Sequence, residues 1–126
     1  MNFFVKSYES DGAQILILGG KLTIGAPVRE LRQAIDARLA SQSKCIILNF
    51  SQLMFMDSSG IGELVGCNNK VKAAGGTLLL CELPNKVRDL FRITHVAKLF
   101  SIHESESAAI ESFLVGETKS ATSDIR

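Results

Sequence analysis

Asp57, Ser58 and Ser59 stand in a row, followed by Gly60, Ile61 and Gly62, and they are the residues of this chain whose types and spacing best suit chemistry. Residues 45–50, Cys-Ile-Ile-Leu-Asn-Phe, form an apolar run of strand length upstream of them. Downstream, Ile61, Leu64, Val65, Asn68 and Val71 recur at the i, i+3, i+4 spacing of a helix face. The serines therefore open a helix. Such a terminus presents unpaired N–H groups and the positive end of the helix dipole, so negative charge is tolerated there. A phosphate carried on a serine hydroxyl fits that environment. The plainer reading stays open on spacing alone: Asp and Ser are the preferred N-cap residues, and such a tripeptide ordinarily does no more than cap its own helix.

Other chemistry finds less support. Gly60, Gly62 and Gly66 follow a strand, and Glu82 lies downstream, as in a dinucleotide-binding turn, but the third glycine is one position late and Asp57 would face the pyrophosphate. These glycines are expected instead to let the helix approach its neighbours closely. Gly20-Lys21 is followed by Leu22 and lacks the earlier glycine of a phosphate-binding loop. A nucleophile elbow would need glycine where Asp57 stands, and no motif ties His95 or His103 to either serine. No metal cluster, cofactor motif or catalytic pair of carboxylates is recognisable, so a binding protein rather than an enzyme is expected, without cofactor or metal.

The elements that must position the serines follow from periodicity and turn chemistry. Residues 3–8 and 13–18 are apolar-rich runs separated by Glu9-Ser10-Asp11-Gly12, which predicts a β-hairpin whose second strand ends at Gly19 and Gly20. Pro27 suits a first helical turn, and Val28, Leu31, Ile35 and Leu39 keep one stripe, predicting a helix over 26–40. A strand at 45–50, a helix over about 59–74 closed by Gly75-Gly76, and a strand at 77–81 come next. Pro84-Asn85 interrupts the chain before a short helix carrying Val87, Leu90 and Phe91. A final edge strand is expected at 99–102, then a last helix holding Ala109, Ile110, Phe113 and Leu114. The sum is an α/β domain over 1–115, a mixed sheet of four to five strands flanked by about four helices, with a polar, mobile tail over 116–126.

Composition narrows the partners. The chain has 126 residues, enough for one core without disulfide staples. Fourteen basic and 13 acidic residues leave a formal charge of +1, which excludes the strong field that gathers nucleic acid or an anionic membrane. Cys45, Cys67 and Cys81 lie in apolar segments without metal or redox spacing, as expected of buried thiols in a reducing cytoplasm. No apolar run approaches the ~18 residues of a membrane span.

Taken together, residues 49–64, Asn-Phe-Ser-Gln-Leu-Met-Phe-Met-Asp-Ser-Ser-Gly-Ile-Gly-Glu-Leu, resemble the STAS family, in particular its anti-sigma-factor antagonists. Residues 75–81 resemble the family's next strand and 87–94 its short third helix, so the likeness runs from about Phe3 to Leu114. It implies that Ser58, the first serine of the element, takes phosphate from a serine-kinase anti-sigma factor. It implies also that the unphosphorylated form binds that kinase through Asp57, Ser58, Ser59, Gly60 and Ile61, that phosphorylation releases it, and that a serine phosphatase resets Ser58. Antagonists usually carry acidic residues between the second strand and first helix, where this chain has Gly20-Lys21-Leu22-Thr23-Ile24, so the partner surface facing that loop is expected to differ. A non-switching STAS module, serving as a structural or ligand-binding subunit of a larger assembly, is the alternative.

Overall fold

The computed structural model describes residues 2–124, and the side chains of residues 2–116. The elements run β1 (Phe4–Ser10), β2 (Ala13–Leu22), α1 (Ala26–Ala40), β3 (Cys45–Met56), α2 (Ser58–Ala73), β4 (Thr77–Cys81), α3 (Asn85–Ile93), a 3-10 turn (Ala97–Leu99), β5 (Ser101–His103) and α4 (Glu106–Asp124). The five strands lie in the order β1-β2-β3-β4-β5, with β1 antiparallel to β2 and the remaining pairs parallel. This is the expected mixed α/β sheet. The tail expected over 116–126 lies, beyond residue 116, outside the residues whose side chains are described.

Strand alternation divides the core in two. Leu16, Leu18, Ile46, Leu48, Leu78 and Leu80 face Leu31 and Ile35 of α1, Leu64 and Val71 of α2, and Val87 and Phe91 of α3. Ile15, Cys45, Ile47, Leu79 and Cys81 point to the opposite side, where Ala109, Ile110 and Phe113 of α4 cover them. The sheet is thus the middle of three layers. On the α4 side, buried Asn49 donates to Glu82 Oε2 at 3.3 Å and to Glu106 Oε2 at 2.6 Å, tying the centre of β3 to the start of α4.

Local chemistry explains several boundaries. The hairpin turns on Asp11 and Gly12 alone, both at positive φ (52° and 82°), as a two-residue primed turn requires. Helix α2 ends in a Schellman arrangement: the Gly75 N–H donates to Lys72 O at 2.9 Å and the Gly76 N–H to Val71 O at 2.9 Å, with Gly75 at φ 83°. Strand β5 begins at Ser101 rather than at residue 99, because Asn68 Nδ2 of α2 donates to the Leu99 carbonyl at 3.0 Å and holds that residue in the preceding turn.

The largest departure from expectation concerns β2 and β3, which run on to Leu22 and Met56 instead of stopping at residues 18 and 50. Gly19 and Gly20 do not end β2; they keep its surface bare where the Phe4 ring lies over Gly19 and the Asn2 carbonyl meets Gly20. Along the extension Ile17 pairs with Asn49, Gly19 with Gln52, Gly20 with Leu53 and Lys21 with Phe55, so β3 carries an extra residue at two places. These bulges break the alternation and turn both Met54 and Phe55 toward solvent.

Gly62 and Gly66 do not serve close packing as expected; a Cβ at either would meet nothing within 4 Å. Gly62→Ala and Gly66→Ala should each stabilise the protein by about 0.5–1 kcal/mol, the helix-propensity difference, raising the thermal midpoint by a few degrees in calorimetry.

Candidate functional site

The bulged extension of β3 delivers the chain to Asp57, whose backbone (φ −103°, ψ −177°) is extended while that of Ser58 is already helical. Asp57 is the N-cap of α2: its Oδ1 accepts from the Gly60 N–H at 3.0 Å. Its second oxygen does different work. Oδ2 accepts from the Ile24 N–H at 3.1 Å, and the Asp57 N–H donates to Leu22 O at 3.3 Å. One residue therefore fastens the loop between β2 and α1 to the start of α2.

Gly60 is required by packing rather than by dihedral freedom. A Cβ there would lie 2.7 Å from Leu22 O and 2.8 Å from Met56 Cγ, too close for any side chain. The helix start therefore sits directly on the ends of β2 and β3. Ile61, next along, is 6 % exposed and belongs to the main core.

Of the five residues singled out in the sequence, Ser58 is exposed, Asp57 and Ser59 are half-buried, and Gly60 and Ile61 are buried. The structure brings the first three together at the surface and places the last two beneath them as support. Because Asp57 does the capping, the Ser58 hydroxyl is left over: no other described residue engages it. Its place at the first helical position sets it beside backbone N–H groups that make no intrahelical bond.

Farther along α2, Glu63 ties the helix to α1. Its nearly buried carboxylate accepts from Arg32 Nη2 at 2.6 Å, and one turn on Cys67 Sγ donates to Glu63 Oε2 at 3.4 Å. Burial, with the Glu63 charge second, pushes the Cys67 thiol up to about 12, so it stays protonated and inert at neutral pH. Among the described residues no group of three or more His, Cys, Asp or Glu could hold a metal, and no helix is long and apolar enough to cross a membrane.

Sequence reading missed the apolar surroundings of the serines. Ile24 is 76 % exposed, and Met54 and Phe55 are each more than half exposed on the bulged strand. The signal was present: Leu53-Met54-Phe55-Met56 is an apolar quartet, and a regular strand cannot turn four consecutive residues inward. The loop also differs from its sequence reading, since Lys21 and Leu22 belong to β2 and only Thr23, Ile24 and Gly25 connect it to α1.

Comparison with known proteins adds three relatives to this geometry. The family model described as STAS domain matches residues 5–109. An anti-sigma-B factor antagonist of Bacillus subtilis is 32 % identical over 111 residues, 88 % of this chain and 98 % of that protein. An anti-sigma F factor antagonist of Paenibacillus polymyxa is 27 % identical over 110 residues, covering 87 % and 94 % of the two chains. Among solved structures, the Bacillus cell fate determinant SpoIIAA in its phosphorylated form superposes with a TM-score of 0.65 at 25 % identity, over 89 % of this chain and 99 % of that one.

Asp57→Ala removes both acceptor bonds and should cost about 1–3 kcal/mol, the sum of a lost cap and a second hydrogen bond. Amide exchange should rise at Gly60 and Ile24 together, 2 positions whose N–H groups share this carboxylate. Faster exchange at Gly60 alone would show that the loop is held by other means.

Proposed function

The chain belongs to the STAS domain family, and from that premise we propose that it is a cytoplasmic anti-sigma-factor antagonist switched by phosphorylation of Ser58. In this reading the unphosphorylated form binds a serine-kinase anti-sigma factor through the surface around Asp57, Ser58 and Ser59. The kinase transfers phosphate to the Ser58 hydroxyl, the complex dissociates, and a serine phosphatase restores the binding form. The protein itself acts by binding and not by catalysis.

The observation that carries this reading is the division of labour at the start of α2: Asp57 caps the helix, and the neighbouring Ser58 is exposed with its hydroxyl unengaged by the other described residues. A serine that served only as a cap would be bonded to its own helix. Ser59, half-buried, is the less accessible of the pair. The antagonist names of the relatives and the phosphorylated SpoIIAA structure support the same reading.

Phosphorylation adds about −1.5 to −2 charges at neutral pH beside the Asp57 carboxylate. Within the protein that charge meets the positive end of α2, which favours it by roughly 0.3–1 kcal/mol. Against a docked partner it brings desolvation and repulsion, and release follows from this difference.

Incubation with candidate serine-kinase anti-sigma factors and ATP, followed by peptide mass mapping, should place a single phosphate on Ser58. Phosphate on Ser59 or Thr94 would overturn the assignment. Ser58→Ala should leave stability within about 0.5 kcal/mol, because the cap is Asp57, and should bind the kinase without being released by ATP. Ser58→Asp should bind more weakly in calorimetric titration; affinity equal to that of Ser58→Ala would contradict docking at this surface.

A further inference from the structure

The ladder between β3 and β4 ends at the Asn49–Cys81 pair, whereas β3 continues to Met56 with β2 as its only strand neighbour among the described residues. Successive backbone groups of a strand point alternately to its two sides, so the side of residues 52–56 turned away from β2 has no strand to bond. Helix α3 flanks this edge without filling it, leaving a groove of about 230 Å³. Leu53, Met56 and Val87, all buried, form its floor, and Met54 and Phe55 rise at its rim. Among the described residues, Lys86 is the one charged residue that lines it. Four consecutive strand residues line this groove because the bulges break the alternation there. The edge itself follows from the pairing, since the β4 ladder stops opposite Asn49.

We propose that this edge receives an extended segment of the partner protein, apolar at alternate positions and acidic between them, added to β3 as a further strand. An edge beside a helix is the arrangement in which strand addition takes its affinity from main-chain hydrogen bonds and its selectivity from side-chain pockets. Here the pockets are apolar and the rim charge is positive, so an acidic segment complements it. The inference rests on the reading of this chain as a partner-binding module and deepens it: Ser58 lies two residues beyond Met56, so its phosphate would repel the acidic segment at the end of the groove.

Two synthetic eight-residue probes, one alternating valine with aspartate and one alternating valine with lysine, test the proposal by amide exchange and amide shift mapping on the whole protein. The acidic probe should slow exchange within residues 52–56 and shift amides of residues 84–90, while the lysine probe leaves both unchanged. Lys86→Glu should weaken the acidic probe about fivefold, the upper end for one exposed ion pair. Equal binding of both probes, shifts confined to other elements, or protection of residues 52–56 that grows with protein concentration alone would overturn the proposal, the last by showing a second copy as the occupant. None of these outcomes depends on a kinase, so failure here is distinguishable from failure of the Ser58 assignment, which mass mapping reads.

Discussion

The carboxylate of Asp57 is the interaction on which the rest of the site depends. One oxygen closes the first turn of α2 through Gly60, the other holds the connection between β2 and α1 through Ile24, and the main chain of the same residue is bonded to Leu22. A single aspartate thereby satisfies 2 backbone donors from different elements, each on its own carboxylate oxygen, where a serine would offer one oxygen for both. The consequence for function is indirect. With capping assigned to Asp57, Ser58 is relieved of that structural duty, and the proposed phosphate there would leave the capping bond in place.

That arrangement requires α2 to begin on top of the sheet and not beyond it. The long β2 and β3 accomplish this by running past the shorter β4, and the two bulges in β3 twist the extension so that Leu53 and Met56 turn inward while Met54 and Phe55 turn out. Gly60 completes the fit, because Leu22 O and Met56 Cγ occupy the space a Cβ would need. The exposed apolar residues, the open strand edge and the unengaged hydroxyl are thus products of one piece of backbone geometry.

Much of this fold was legible from sequence where a single physical signal governed. The helix over Ala26–Ala40 and the strand over Thr77–Cys81 have the boundaries that apolar periodicity, Pro27 and the Gly75-Gly76 pair dictate. The Asp-Ser-Ser-Gly element was correctly placed at a helix start, and its exposed serine sits at the first helical position. What periodicity missed was the strand extension. Gly19 and Gly20 read as a stop when they make room for Phe4 and Asn2, and bulges erase the alternation by which a strand is recognised. Which of three adjacent polar residues does the capping was equally hidden, since Asp and Ser are near equals as caps and the bond to Ile24 is a tertiary contact.

The central claim is that phosphate at Ser58 changes what the surface binds and leaves the fold alone. Amide hydrogen exchange across α2 and across residues 23–25, compared between the unmodified and the stoichiometrically phosphorylated protein, tests it most directly. Protection at Gly60 and Ile61 should persist, and Ile24 should stay protected through Asp57, with changes confined to the amides of Ser58 and Ser59. Loss of protection running along α2 would contradict the account and identify the switch as an unfolding of that helix.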